Sequence, residues 1–360
     1  MSIWHPELRP WIHIIGGGLS GLSLAYALSQ YDCLPGEVVI TEPRTDYTND
    51  RTFSFWFNES QRALLQPEYE SDCWCLSQQA QPVHHHSQKL KYGIRSSVSV
   101  YRQALRAIEI HPQISIQHQY LNSQPDAEHV FDSRAPFISD YHLIQSFVGT
   151  EVRLSKRHAI RCVQLMENLT TINTGIEFRY VLPLGKDKLL VEHTQFTTKT
   201  ADFDKLRALN IAWLEQSFGL HHQIIREEKA HIPMGIKSNQ QHWGIPIGAR
   251  AGMTRAATGY GYATILTWCH QAAHSLVANN RCDGYQTSTL FQKMDNLFLE
   301  LIAKKPDTIP NILMQLAHGL QADTFASFMM NTRLGDALKV IYHAPKRPFV
   351  CASIGKFKWI

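Results

Sequence analysis

Trp11-Ile12-His13-Ile14-Ile15-Gly16-Gly17-Gly18-Leu19-Ser20-Gly21 decides the fold. A short β-branched run ends in glycines, and the helix-like Leu22-Ser23-Leu24-Ala25-Tyr26-Ala27-Leu28 follows at once. The order is strand, glycine turn, helix. Gly16, Gly18 and Gly21 fill the first, third and sixth places of that turn. Glycine there permits the tight bend, the close approach of a pyrophosphate to backbone N–H groups, and close packing of helix on sheet. Glu37-Val38-Val39-Ile40-Thr41-Glu42 predicts a second strand ending in a carboxylate 21 residues beyond Gly21. A dinucleotide-binding unit needs an acceptor for ribose hydroxyls at that place, which makes Glu42 the expected ribose ligand. Strand, fingerprint, helix, strand and terminal acid together point to a dinucleotide site, while the motif alone leaves FAD and NAD(P) both open.

The length, 360 residues, exceeds one compact unit and falls short of three, so two interleaved domains are expected. Hydrophobic residues at 44% and charged residues at 18% supply a core and exclude a disordered chain. The formal charge of +4 is spread along the sequence with no basic block, which excludes a nucleic-acid partner on electrostatic grounds. The longest apolar runs (Trp11 to Ile15, Val181 to Leu184, Leu189 to Val191) are strand-sized. Spanning a bilayer takes roughly 18 to 20 apolar residues, so no crossing is expected. Met1-Ser2-Ile3-Trp4-His5-Pro6 lacks the features of a secretory signal, and a cytoplasmic location is the expectation. The cysteines at 33, 73, 75, 162, 269, 282 and 351 contain no CxxC pair and suit neither a disulfide framework nor a zinc site. They are expected to be reduced, mostly packed thiols. His84-His85-His86, set among Gln and Ser, reads as a solvated loop, because adjacent side chains do not readily converge on one ion. No metal is expected.

Downstream of Glu42, Asp50-Arg51-Thr52-Phe53-Ser54-Phe55-Trp56 resembles the stretch after the second strand in bacterial flavin-dependent lycopene cyclases. Tyr92-Gly93-Ile94-Arg95-Ser96 is similar to that family's tyrosine-containing strand leading into a helix. Gln145-Ser146-Phe147-Val148-Gly149-Thr150-Glu151-Val152-Arg153 is similar to its QxFxGxEVR element. Phe178-Arg179-Tyr180-Val181-Leu182-Pro183-Leu184 and Leu189-Leu190-Val191-Glu192-His193-Thr194 resemble its FxYxLPL and (V/I/L)ExT pair. Arg250 through Tyr260 resembles its glycine-rich segment ending in TGY, and Arg333 to Lys339 and Pro345 to Phe349 extend the likeness over nearly the whole chain. Three departures stand out. Ser133 follows Asp132 where the family carries glycine, Glu167 replaces an aspartate, and Arg255-Ala256-Ala257 replaces a histidine-proline approach to TGY.

The resemblance implies an α/β fold with a Rossmann-type, glutathione-reductase-like FAD-binding domain drawn from residues 8–60, 90–150 and 240–280. A β-rich substrate domain, 61–89 and 151–239, is inserted, and residues 281–360 form a helical C-terminal part. It further implies an intramolecular lyase or isomerase that converts lycopene to beta-carotene via gamma-carotene. Ring closure would be acid-catalysed and supported by reduced FAD, with NADPH as reductant and no net redox change. Glu192 is the implied acid, and Arg51, Asp132, Gly248, Gly252 and Tyr260 join Gly16, Gly18, Gly21 and Glu42 at the cofactor.

Local geometry adds its own reading of two segments. On a strand, Leu190, Glu192 and Thr194 share one face and Leu189, Val191 and His193 the other. If the Leu190 face is buried, so is Glu192, and desolvation would raise its pKa enough to keep a proton available near neutral pH. On an edge strand the same group would be solvated or in an ordinary ion pair. Thr258-Gly259-Tyr260-Gly261-Tyr262 opens an apolar helix, and a helix start directs N–H groups and a positive dipole at a cofactor, which places Thr258 and Gly259 there. Phe291, Met294, Phe298 and Leu301 form a helical stripe that suits either core packing or a bilayer surface. The basic, apolar Lys356-Phe357-Lys358-Trp359-Ile360 suits peripheral membrane contact. Two other classes share these motifs: a FAD-dependent hydroxylase or isoprenoid reductase of the same fold, and a non-catalytic flavin- or carotenoid-binding homologue.

Overall fold

The computed structural model describes residues 9–136, 143–235, 241–330 and 334–349. β1 (Ile12–Ile15), α1 (Leu19–Leu28) and β2 (Val38–Thr41) realise the order read from the glycine turn. The chain continues through β3 (Thr52–Phe57), α2 (Arg62–Leu65), β4 (Tyr69–Ser71), β5 (Cys73–Gln78), β6 (Gln81–His86), β7 (Lys91–Ser96), α3 (Ser97–Ile110), β8 (Ile114–Gln117) and β9 (His129–Asp132). Next come β10 (Leu143–Leu154), β11 (Val163–Ile172), β12 (Gly175–Pro183), β13 (Lys188–Thr197), α4 (Phe203–Phe218) and β14 (His222–Met234). It returns through β15 (Ile245–Pro246) and α5 (Tyr262–Asn279), then ends in α6 (Thr289–Lys304), α7 (Ile309–Gly319), α8 (Ala322–Met329) and α9 (Leu334–His343).

Five strands in the order β15-β9-β1-β2-β8 make a parallel sheet. Every residue of β1 and β2 is buried, as expected of strands covered on both faces, and Ile12, Ile14 and Ile40 share a core with Leu22 and Leu28 of α1 and Ile265 of α5. The strand order reverses at β1, which opens a ligand crevice beyond its carboxyl end. A side chain at Gly21 would meet the Gly16 carbonyl oxygen at 2.0 Å, so glycine is needed there for α1 to lie against the turn.

The second sheet runs β14-β10-β13-β12-β11-β5-β6 and is antiparallel except where β11 meets β5. β13 lies in its interior. Leu189 and Val191 pack with Leu214 of α4 on one face, and Leu190 packs on the other with Ala317 and Phe325 of the C-terminal helices. Both faces are therefore buried, and an edge position for Glu192 is ruled out. A three-stranded sheet, β3-β7-β4, ties the units together. Phe53 and Phe55 stack on Tyr262 of α5, while Trp56 meets Trp74 of β5 edge-on.

Several expectations are corrected. β10 pairs with β13 and β14 over its length from Leu143, so the expected division between residues 150 and 151 falls inside a strand. Cys73 and Cys162 are joined in a disulfide, because the parallel pairing of β5 with β11 brings together residues 89 apart in sequence. Of the other cysteines, Cys75 and Cys269 are buried, Cys282 is half-buried and Cys33 is exposed. His84, His85 and His86 lie on β6 and not in a loop, with His85 turned inward and stacked on Trp74. Asp72, Cys73 and His86 lie within metal-ligating distance of one another, but the Cys73 sulfur is committed to the disulfide. Arg333, Cys351 and the segment Lys356 to Ile360 lie outside the described residues. Among the described residues no helix is long and apolar enough to cross a membrane.

The glycine turn yields a contrast. A Cβ at Gly18 would have no neighbour within 4 Å, whereas one at Gly21 collides with backbone. Urea unfolding should show Gly21→Ala losing about 1–3 kcal/mol by overpacking and Gly18→Ala losing under about 1 kcal/mol. Equal losses would mean that the turn is not packed as described.

Candidate active site

The crevice beyond β1 is built by backbone. Gly16 has φ +96°, and α1 starts at Gly18 with no side-chain cap and no acidic residue in its first turn. The positive dipole end and the N–H groups of Leu19 and Ser20 are therefore turned to an anion, while that of Gly21 is engaged within the fold. Glu42 stands at the tip of β2, accepting from the Gly17 N–H at 2.6 Å and the Arg44 N–H at 2.9 Å. Ser133, which follows β9, ties its loop to α1 through its hydroxyl, which accepts from the Gly21 N–H at 3.1 Å and meets Ser20 Oγ at 2.7 Å.

Asp132 is fully buried and its carboxylate is engaged from several sides: Arg134 Nη2 at 2.7 Å, the Trp243 N–H at 3.2 Å and Arg250 Nε at 3.5 Å. Burial alone would push its pKa up, but the Arg134 guanidinium, the Trp243 N–H and Arg250 together hold it below the usual carboxylate range. Asp132 therefore stands behind the crevice wall. Gly248, with φ +66°, also serves packing, since a Cβ there would meet Ser20 Oγ at 2.3 Å.

Gly252, Thr258, Gly259 and Tyr260 face the same space as Gly16, Gly18, Glu42 and Arg51. Gln145 Oε1 would lie 2.9 Å from a Cβ at Gly259, and it is buried without a hydrogen-bond partner. An uncapped helix start, a bare glycine turn, a strand-end carboxylate and an orphaned amide oxygen fit a dinucleotide.

Across the second sheet, Glu228 of β14, Gly149 of β10, Glu192 of β13 and Tyr180 of β12 fall in one row. Glu192 is 8% exposed and Glu228 is 4% exposed. A Cβ on Gly149 would sit 2.8 Å from Glu228 Cγ and 3.0 Å from Glu192 Cγ, so the carboxyl groups close over a residue that has no side chain. Burial, first, and then the charge and hydrogen bond of Glu228 push the Glu192 pKa well above the ordinary value, against a weaker opposing pull from Arg226. Arg226 pairs with Glu228 and donates to Glu151 at 2.6 Å and to the Thr52 hydroxyl at 2.6 Å. That hydroxyl donates in turn to Glu228 at 2.9 Å.

On the other side of Glu192, the Tyr92 hydroxyl bonds to those of Tyr180 and Tyr260. Burial raises the pKa of all three phenols, that of Tyr260 to about 12, so they stay neutral. His193 points to the opposite face, as strand geometry requires, with Nε2 3.4 Å from Glu177.

One continuous cavity of about 1270 Å³ joins the two halves, running from Gly16 and Glu42 past Thr258 to Tyr260 and on to Glu192. Beyond the acid its walls are apolar: Phe178 and Phe196 from the sheet, and Met294, Leu316, Phe325 and Phe328 from the C-terminal helices. Arg255 pairs with Asp295 at 2.9 Å and lies over the Phe328 ring at 4.3 Å, so these two charges offset one another at the wall. A carboxylic acid whose pKa is pushed well above the ordinary value by burial, facing such a space, is equipped to protonate a weakly basic, apolar reactant. Glu192 and the nucleotide residues were expected from sequence. Gly149, Glu228, Arg226 and Thr52 were not, since only the register of β10 with its neighbours brings them together.

A family described as lycopene cyclase protein matches residues 12–351. The lycopene beta-cyclase of Pantoea ananas is 24% identical over 225 residues, 58% of this chain and 58% of that protein. That of Paracoccus sp. is 28% identical over 123 residues, 32% of each. The chain thus spans somewhat over half of the first relative's length and about a third of the second's. A geranylgeranyl bacteriochlorophyll reductase-like protein from Thermoplasma acidophilum has TM-score 0.58 at 11% identity, covering 94% of this chain and 97% of that one. A flavoprotein/dehydrogenase from Cytophaga hutchinsonii has TM-score 0.57 at 10% identity, covering 96% and 99%. These two share the fold.

The protonated Glu192 has a signature in stability. Its native pKa lies above the unfolded value of about 4.3, so above that pH the native state holds a proton the unfolded chain has lost. The stability tied to that proton is complete below the unfolded pKa and is lost as pH rises toward the native one. Glu192→Gln removes this loss. Its unfolding free energy minus that of the wild type should therefore grow with pH above about 4.3, by at most ~1.4 kcal/mol per unit. A difference independent of pH in urea unfolding would show that the carboxyl is not held protonated.

Proposed function

The chain belongs to the lycopene cyclase family, and on that premise we propose that it is a lycopene beta-cyclase, forming beta-carotene from lycopene through gamma-carotene. The observation that carries the proposal is the buried Glu192 carboxyl, facing an apolar cavity that is continuous with the dinucleotide crevice. Glu192 gives its proton to the terminal double bond of the substrate. The O–H bond breaks, a C–H bond forms, and a cation is left on the neighbouring carbon. The next double bond in reach attacks that cation and closes the ring, and a proton then leaves to restore the acid. Substrate and product are isomers.

The chain's own residues meet the other requirements. Phe178, Phe196, Phe325 and Phe328 exclude water, which would otherwise capture the cation, and offer ring faces to positive charge. Neutral Tyr180 and Tyr260 bring no anion to the reacting end. FAD is the proposed cofactor, supported by the Cytophaga protein, itself described as a flavoprotein. Gly16, Gly18 and the start of α1 would hold its pyrophosphate, Glu42 a ribose, and Arg51, Gly252, Thr258, Gly259 and Tyr260 the remainder, with Asp132, Gly21 and Gly248 shaping the crevice behind. Bound in its reduced, anionic form, with NADPH as the reductant, the flavin supplies negative charge near the cation without net redox change. Leu338, Ile341 and Tyr342 are exposed on α9, and Ile341 also lines the cavity. This supports peripheral contact with the cytoplasmic face of a membrane, from which a long hydrocarbon would be drawn.

Expression in a lycopene-accumulating bacterium with pigment chromatography tests the reading. The wild type should yield beta-carotene, and Glu192→Gln should lose at least ~100-fold in rate. Unchanged pigment with folded, flavin-loaded wild-type protein would end the cyclase proposal. NADPH consumed in step with product would favour a reductase or hydroxylase of this fold. Full activity in the variant would remove Glu192 as the acid.

A further inference from the structure

Glu228 has no part in the reaction as written above, yet its surroundings are built. It faces Gly149 from β14 as Glu192 does from β13, and each side chain reaches over the glycine toward the other. From behind, Glu228 is held by the Arg226 guanidinium and, at 2.9 Å, by the Thr52 hydroxyl. Arg226 is also committed to Glu151 at 2.6 Å, so one cation already serves two carboxylates. Among the described residues no ion pair to Glu192 is formed, and Arg226 acts on it only as a weaker, more distant pull.

Lys229 and His231 of β14 line the same cavity but are engaged elsewhere, Lys229 over the Phe203 ring at 5.2 Å and His231 against Ser146 Oγ at 2.9 Å. Tyr180 on β12 and Tyr260 ahead of α5 are neutral hydroxyls. Arg255 and Asp295 of α6, which line the same cavity, neutralise one another at 2.9 Å. Two carboxyl groups in hydrogen-bond contact need one proton between them, and the group paired to a guanidinium is the one that keeps its charge. The proton of the pair therefore resides on Glu192.

We propose that Glu228 is the positioning residue of the cyclisation, holding the proton on Glu192 between turnovers and making the spent Glu192 carboxylate basic enough to take a proton back. This rests on the cyclase reading. When Glu192 donates, its O–H bond breaks, a C–H bond forms on the substrate, and the pair is left with two negative charges in contact. A C–H bond beside the cationic carbon of the closed ring then breaks. Its electrons become the ring double bond and its proton returns to Glu192, so the pair regains its single charge. No electrons enter or leave the site.

The test is the pH dependence of the initial rate of the holoenzyme, with reduced FAD and lycopene carried in phosphatidylcholine vesicles. In Glu228→Gln the neighbouring charge is gone and Arg226 is released toward Glu192, so the alkaline limb of the profile should move down by about one to two pH units. Activity near neutral pH should fall ~10-fold or more and recover in part on acidification. A folded, flavin-loaded Glu228→Gln protein with the wild-type alkaline midpoint would overturn the proposal. Should that variant fail to load flavin, Glu228→Asp decides. It keeps the charge but retreats by one methylene, which should move the midpoint in the same direction by a smaller step, and an unmoved midpoint would overturn the proposal equally. The carboxylic C=O infrared band that Glu192→Gln removes provides a readout without turnover, and it should titrate away at lower pH in Glu228→Gln. Wild-type protein that cyclises no lycopene refutes the cyclase reading on its own, and the infrared titration then still decides whether Glu228 governs the Glu192 proton.

Discussion

Two carboxyl groups meet over Gly149, and the arrangement of the molecule follows from what that contact demands. An isolated buried carboxylate is costly, and two in contact are worse, so the pair must keep a proton and the charge that remains must be answered by a cation. Arg226 answers it, steadied by Glu151 on β10 and by Thr52 on β3. Three strands from two sheets thus converge on one guanidinium. Because Thr52 lies at the cavity on the nucleotide side and Glu228 on the sheet side, the same hydrogen bonds that fix the acid also fix the two halves of the chain against each other.

The cavity has the opposite requirement from the crevice that it joins. Backbone N–H groups, a glycine turn and the strand-end carboxylate Glu42 make one end polar, while phenylalanine and leucine side chains make the other end apolar. Glu192 is placed where the two meet, so under the cyclase proposal a reacting end group would reach the acid from the apolar part while the polar end stayed free for a cofactor. Two of the charged groups that reach the apolar wall, Arg255 and Asp295, offset one another.

What could be read from sequence was local. The strand, glycines, helix and Glu42 lie within about thirty consecutive residues, where periodicity and turn chemistry act directly. Glu192 was visible as an acid within an apolar strand, but an interior and an edge position for that strand both remained open until its neighbours on either side were known. Pairing between distant strands was not visible. The register of β10 with β14 sets Glu228 beside Glu192, the parallel meeting of β5 and β11 sets Cys73 beside Cys162, and the inward turn of His85 depends on Trp74 being opposite it. Asp132 was placed at the cofactor by the family resemblance alone, and the arginines that occupy it come from its own loop and from residue 250. In each case the deciding partner is remote in the chain, or side-chain direction matters more than residue type.

Arg255 carries a consequence for how the molecule comes apart. Its guanidinium joins the Thr258 to Tyr260 loop to Asp295 on α6 and to the Phe328 carbonyl on α8, and Asp295 also accepts from the Ala257 N–H at 3.3 Å. Removing one partner of a buried pair of this kind costs about 3–5 kcal/mol. The loop and the C-terminal helices are therefore bound into one cooperative unit. Proteolytic nicking within these helices would loosen the Thr258 to Tyr260 loop at the crevice, although the scission lies far along the chain from the glycine fingerprint.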